Sequence, residues 1–330
     1  MKDTAQLRVE NKKKIRTIMR EGKEFTKQEL ARHTGLSTAT CNTLINEMAA
    51  DGEVTGHKLQ LGKVGRSSLA YQLNESYEYT LCVWFEMMDE SRVLYLYLLN
   101  ALGNITEKKQ ENFSFLDEAC LISEIEQMMQ KQERIQAIMI GTPSLLKDGK
   151  ISLCDIPELD GCDLVGNLQN RFSVMVHIEN DMHYRVYGYY KKNCQPDQIV
   201  TLANFPLHVL PGMASIHHGE VIAGKSDLAG MTGFLVFPFD REEQKKRLCP
   251  EQAMPLLVQM TVANIVLINP DCMVFTGALV NEAVIAEIRE ACSNYLPPEH
   301  MPEFLYQEDT GGDYLAGMYE KAMKLEDKWV

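Results

Sequence analysis

The chain has 330 residues, of which 45% are hydrophobic and 24% charged, the balance of an ordinary folded protein with room for two or three domains. No apolar run approaches the roughly 20 residues of a membrane span, and the opening MKDTAQLRVENKKK lacks the apolar core of a signal peptide, so a cytoplasmic location with no membrane partner is expected. Nine scattered cysteines, odd in number and nowhere spaced CxC or CxxC, argue for free thiols in a reducing compartment and against a disulfide framework or a zinc site.

The net charge of −13 is unevenly spread. Residues 1–74 carry 13 Lys/Arg against 8 Asp/Glu, and the remainder carries 20 against 38. A basic head on an acidic body suits a DNA-binding head, with phosphate contact confined to it.

Residues 8–21 predict a first helix with Val9, Ile15, Ile18 and Met19 on its inner stripe. Lys12, Lys13, Lys14, Arg16 and Arg20 fall largely outside that stripe, either as a solvated face or as cations for phosphate. Residues 25–51, FTKQELARHTGLSTATCNTLINEMAAD, then predict two short helices and a tight turn. Thr26 and Glu29 have the spacing of a capping box, Gly35 suits a left-handed helix end, and Ser37 suits the next N-cap. Cys41, Leu44, Ile45 and Met48 fall on one face of the second helix. Ser37, Thr38, Thr40, Asn42 and Thr43 lie at its start or on its other face, short and able to hydrogen-bond, as a helix in a major groove requires. The competing reading is a helical hairpin with a solvated polar face. Asp51-Gly52 predicts a turn, and Val54 to Leu61 and Leu69 to Leu73 two strands. The segment GKVGRSS between them predicts a cationic wing tip from which Lys63 and Arg66 reach phosphates or a minor groove.

These residues resemble the head of the ROK family, which joins transcriptional repressors and sugar kinases. The resemblance rests on Arg8 and Asn11, Leu30-Ala31, Thr34-Gly35-Leu36-Ser37, Thr40, Asp51-Gly52, Gly65-Arg66 and Leu73-Asn74. It departs at Ser67-Ser68, where the family has prolines.

From Tyr77 the composition is that of an α/β body. Strands are expected over Tyr79 to Phe85, Arg92 to Leu99, Ile105 to Asn112 and Ile135 to Ile140, with a helix over Leu116 to Gln132. That order looks like the opening of a ribonuclease-H-like lobe. Asp163 to Phe172 predicts a helix and Val174 to Ile178 a strand that runs into Glu179-Asn180-Asp181. Carboxylates at such a strand end face a ligand crevice in many α/β folds. By residue chemistry alone, Asn180 and Asp181 are as well read as caps of the following helix, Met182 to Tyr190. Tyr184, Tyr187, Tyr189 and Tyr190 on that helix are read as packing, and His217-His218 as structural, their side chains on opposite faces of a strand. Helices are expected over Glu251 to Ile268, Asn281 to Tyr295 and Asp313 to Lys324, and a strand over Cys272 to Thr276.

The family resemblance implies that Asn180 and Asp181 contact a sugar, Asp181 standing where active kinases hold their base. The nucleotide motifs fare worse. The family's DxGGT phosphate loop is replaced by Phe85-Glu86-Met87-Met88-Asp89, without glycine. Its second glycine loop reads LHVLPGMAS, in which Gly212 alone survives. Met231 and Phe234 stand where the family places a sugar-binding Glu and His, and residues 235–248 hold no Cys or His, so no zinc is expected. Gly277 is kept, but Ala278 replaces a second glycine.

The expected fold is α/β: an N-terminal winged helix-turn-helix, 1–74, then a two-lobed actin-like (ribonuclease-H-like) sugar-kinase fold. The lobes are 75–190 and 191–330, with the C-terminal helix able to return to the first. The expected function is a DNA-binding regulator, a repressor, whose body senses a sugar and forms a homodimer or higher homo-oligomer on a double-stranded operator, without kinase activity, metal or cofactor. The alternatives are a DNA-binding scaffold without a small-molecule effector, and a sugar kinase with residual activity.

Overall fold

A computed structural model describes residues 4–58, 69–88, 91–147 and 149–326. The chain divides into two compact units, one of Met1–Leu81, Tyr97–Lys108 and Met129–Gln136, the other of Cys82–Leu96, Lys109–Met128 and Ala137–Val330.

In the first unit, helix α1 (Thr4–Met19) is followed by a short strand β1 (Phe25–Thr26), α2 (Lys27–Thr34), α3 (Thr38–Ala50), β2 (Val54–Lys58) and β3 (Leu69–Leu73). The strands form one antiparallel sheet of order β1-β3-β2. Phe25 and Thr26, read from sequence only as the approach to a helix, pair with Tyr71 and Ala70. Ile15, Met19, Leu30, Ile45 and Met48 are fully buried in the common core. Ala101 joins that core and Leu102 packs on it, so the head's apolar core reaches beyond residue 74.

The body continues through β4 (Tyr79–Met88), β5 (Ser91–Asn100), β6 (Ile105–Phe113), α4 (Glu118–Lys131), β7 (Ile135–Thr142), the small hairpin β8 (Leu145–Lys147) and β9 (Lys150–Ser152), α5 (Leu164–Arg171), β10 (Met175–Asn180) and α6 (Asp181–Asn193). Its first sheet has the order β10-β7-β4-β5-β6, with β10 parallel to β7. Next come β11 (Val200–Asn204), β12 (Gly212–His217), β13 (Glu220–Val221), α7 (Arg241–Arg247), α8 (Met254–Ile268), β14 (Cys272–Thr276), α9 (Glu282–Ser293), β15 (Glu303–Tyr306) and α10 (Gly311–Leu325). The second sheet has the order β13-β12-β11-β14-β15; β11, β14 and β15 are parallel, and β12 and β13 antiparallel. Both sheets therefore repeat one topology, which is the ribonuclease-H-like order expected for an actin-like body.

Helices α6 and α10 follow the last strand of their respective sheets and lie backbone to backbone. A Cβ built on Gly188 would stand 1.9 Å from the Asp313 carbonyl oxygen, and one on Gly317 would stand 1.9 Å from that of Tyr184. The last helix also returns to the first lobe: Tyr314 packs on Trp84 at 5.4 Å, and Lys321 pairs with Glu179 at 2.9 Å. No described helix is long and apolar enough to cross a membrane.

Candidate functional sites

The helix pair α2–α3 is built by local chemistry. Thr26 and Glu29 close a reciprocal capping box, and Gly35 turns the chain with φ +71°. The Ser37 hydroxyl accepts from the Thr40 amide at 3.0 Å and lies 2.8 Å from the Thr40 hydroxyl. The Thr43 hydroxyl donates to the Ala39 carbonyl at 3.2 Å. Of the five residues expected at DNA from this helix, Ser37 and Thr40 are thus engaged in the cap. Thr38, Asn42 and Thr43 stand exposed on the face opposite the buried Cys41, Leu44, Ile45 and Met48. The wing residues Lys63 and Arg66 lie outside the described residues.

Four basic residues of α1 and its end sit beside carboxylates of the same unit. Arg8 pairs with Glu47, Lys12 lies 3.6 Å from Glu47 and 3.5 Å from Asp51, Arg16 pairs with Glu53, and Arg20 lies 3.5 Å from Glu78. Val9, placed on the inner stripe, is 37% exposed instead, because the helix begins earlier and its first turns lie off the core.

In the second unit a cleft of about 600 Å³ opens at the carboxyl ends of β10 and β11. Asp181, at the first turn of α6, lines it together with Asn180, Glu86, Asp155 and Arg185. The Asn180 amide is already engaged. Its Oδ1 accepts from the Met182 amide at 3.0 Å, and its Nδ2 donates to the Ser144 carbonyl at 3.2 Å. The cap reading therefore describes Asn180, which holds the entrance of α6 against the loop after β7. Asp181 faces the cleft, 3.6 Å from Arg185 one turn along. Arg185 is held in turn by the Thr310 hydroxyl at 2.7 Å and by the Tyr314 ring, 4.5 Å beneath its guanidinium. Its i,i+4 relation to Asp181 was open to a sequence reading; the supports from α10 were not.

Burial raises the Asp181 carboxyl above its ordinary value, and Arg185 offsets this only in part. Such a group costs the fold stability above the ordinary carboxylate pKa of roughly 4, and the full cost is reached once pH passes the folded value. Asp181→Asn is therefore expected to raise the urea-unfolding free energy at neutral pH by roughly 1 kcal/mol. The gain should disappear below about pH 4. A loss at neutral pH would mean that the Arg185 pair outweighs burial. Behind Asp181, burial pushes the Glu179 carboxyl up, but His177 at 3.1 Å, His183 at 3.4 Å and the Lys321 ammonium hold it well below the carboxylate range.

The places expected to cradle a nucleotide are built otherwise. Strand β4 runs straight through Glu86 and Met87 to Met88, and β5 begins at Ser91. Glu86, Met87 and Met88, in the place of the glycine loop, are thus strand residues rather than a loop that presents amides to phosphate. The second loop, residues 205–211, joins β11 to β12, and Gly212 is the first residue of β12. Met231, Phe234 and Leu210 form an apolar wall of the cleft, and Arg241 of α7 lies over the Phe234 ring, 3.6 Å from its centroid. Gly277, with φ +103°, passes so close to the Phe205 carbonyl that a Cβ would stand 2.5 Å from it.

Tyr184, Tyr187 and Tyr190 are buried as packing residues. His217 and His218 do not point to opposite faces: β12 ends at His217, His218 turns into the left-handed region at φ +52°, and the rings come to 3.9 Å.

The model of the ROK family matches residues 96–254. No curated protein matches the sequence closely enough to argue from. Among solved structures, a ROK family transcriptional regulator described as a homolog of the E. coli MLC protein is similar at TM-score 0.72 and 12% identity, over 98% of this chain and 99% of that one. A ROK hexokinase from Thermus thermophilus is similar at TM-score 0.58 and 16% identity, over 74% and 99%. A ROK family glucokinase from Streptomyces griseus, solved with glucose and AMPPNP, is similar at TM-score 0.57 and 15% identity, over 74% and 99%. The kinases are thus matched over their own full lengths by only part of this chain, whereas the regulator is matched almost end to end. The chain carries a ROK-family domain at residues 96–254, on a fold it shares along nearly its whole length with a regulator of that family.

Proposed function

We propose that this protein is a DNA-binding transcriptional repressor whose ROK-type body is an effector sensor without kinase activity, acting as a homodimer. The observation that carries the reading is α3, a Ser37-capped helix that turns Thr38, Asn42 and Thr43 to solvent beside its buried face. Short hydrogen-bonding side chains on the first two turns of such a helix are what base-edge recognition uses. In the body, a strand that carries Glu86, Met87 and Met88 in the place of a glycine loop argues against phosphate transfer, and the cleft with Asp181 facing it supports a sugar-like effector.

The scaffold reading draws on the apolar wall of Met231, Phe234 and Leu210 and on the engaged amide of Asn180. A cleft of about 600 Å³ is nevertheless large enough for a monosaccharide, which favours the sensor. Thermal unfolding against sugars and sugar phosphates separates the two, since a bound effector raises the midpoint and a scaffold does not respond.

The DNA reading is tested by selecting duplexes from a random pool with the full chain. One sequence, repeated in inverted halves, is expected to emerge. Asn42→Ala should weaken binding to it by about ten- to a hundredfold, corresponding to roughly 1–3 kcal/mol for a lost base contact. Binding to unrelated DNA should change little, because that is carried by phosphate contacts. A pool that shows no enrichment would refute the reading.

A further inference from the structure

The cleft of the second unit is lined by two different chemistries. Asp181 and Arg185, both partly exposed, give it a polar end. The carboxylate accepts hydrogen bonds and the guanidinium donates them, so the pair can hold two neighbouring hydroxyls of one ligand. Arg185 is already fixed by Thr310 and Tyr314, and little ordering is left for a ligand to impose. Glu242 and Lys245 of α7 also line the cleft, but they pair with each other at 3.3 Å and ask for no charge on the ligand.

The apolar wall of the same cleft is firmly built. Met231 leads into a single turn, Thr232–Phe234, in which Thr232 and Gly233 are buried while Phe234 stays 41% exposed. The Thr232 hydroxyl donates to the Pro211 carbonyl at 3.0 Å, and a Cβ on Gly233 would stand 3.0 Å from Leu210 Cδ1. The turn is thereby fastened to the loop before β12, and Arg241 steadies one face of the Phe234 ring. From the first lobe Leu153 joins the lining. It is 57% exposed and stands at φ +54°, a region that bulky residues rarely adopt.

Hydroxyls laid on Leu210, Met231 and Phe234 would give up water without finding a partner. A free sugar, with hydroxyls all round its ring, is therefore served by one end of the cleft and penalised at the other. An aromatic group answers the apolar end, because a neighbouring ring and a methionine thioether both attract it. The volume of about 600 Å³ lies among clefts that enclose ligands larger than one sugar ring, roughly 300–1,000 Å³. We infer that the effector is an aryl glycoside, with its sugar hydroxyls on Asp181 and Arg185 and its aromatic group on Leu210, Met231 and Phe234. The inference rests on the sensor reading and names the class of ligand that the cleft takes.

The test is titration calorimetry of the full chain with glucose, galactose and mannose, each as the free sugar, the methyl glycoside and the phenyl glycoside, in both anomers. For one of the sugars the phenyl glycoside is expected to bind about ten- to a hundredfold tighter than the methyl glycoside, the gain from burying one aromatic ring. Phe234→Ala should remove most of that gain and leave methyl glycoside binding unchanged. Met231→Gln is the second variant, to be read in its place if Phe234→Ala lowers the melting temperature. Asp181→Ala should weaken both glycosides alike. Methyl and phenyl glycosides that bind equally would overturn the inference and leave the sensor reading standing. Silence toward every sugar and glycoside would overturn the two together. Phenol that binds as tightly as the phenyl glycoside would show an apolar pocket without sugar recognition, and would overturn the inference as well.

Discussion

A Gly317→Ala chain is expected to lose about 3 kcal/mol or more of stability, beyond most single substitutions. The added methyl would fall within bonding range of the Tyr184 carbonyl, a backbone atom in the middle of α6 that cannot turn aside as a side chain could. Relief requires α10 to move away from α6. That movement would pull Tyr314 from Trp84 and from beneath Arg185, and would loosen Lys321 from Glu179. Trp84, stacked on Tyr95 at 4.7 Å, supplies the fluorescence signal for urea unfolding. A loss below about 1 kcal/mol would mean the helices can part without disturbing the fold. Because Arg185 depends on the same packing, any rise in melting temperature that a sugar produces under the sensor reading should fall as well.

The second large effect lies in the head. Arg16→Ala removes the guanidinium that pairs with Glu53, a carboxylate only 2% exposed. Glu53 cannot escape to water, since its amide donates to the Met48 carbonyl and its own carbonyl accepts from Asn74. Leaving a buried charge without its cation costs about 3–5 kcal/mol. Hydrogen exchange in α1 and α3 should accelerate accordingly, and site-specific DNA binding should weaken with it. The double variant Arg16→Met, Glu53→Leu removes both charges and should recover most of the loss. An Arg16→Ala head as stable as the parent would show that the pair is solvated.

The head was the most legible part of the sequence, because its signals are local. The Thr26–Glu29 box, the left-handed Gly35 and the Ser37 cap each act within four residues, and each took the expected place. The carboxylate partners of Arg8 and Arg16 were not legible, because Glu47 and Glu53 lie 39 and 37 residues away. Asn180 and Asp181 could not be separated by residue type, since both amide and carboxylate cap helices. Their roles diverge through the carbonyls of Thr142 and Ser144, which only the fold brings near Asn180. The edge strand Glu303–Tyr306 went unread because four residues after a proline-rich break carry too little periodicity. The stacked histidines show the limit of strand alternation, which fails one residue past the strand's end.

The return of α10 to α6 bears on how the chain is made. Glu179 waits for Lys321, 142 residues downstream. At the usual pace of synthesis that interval lasts on the order of ten seconds. Until then a nascent chain carries α6 with Gly188 and Tyr184 uncovered, and an Asp181–Arg185 pair without its Thr310 and Tyr314 support. The first lobe therefore cannot be finished in the order in which it is written, and its assembly is held open until α10 has left the ribosome.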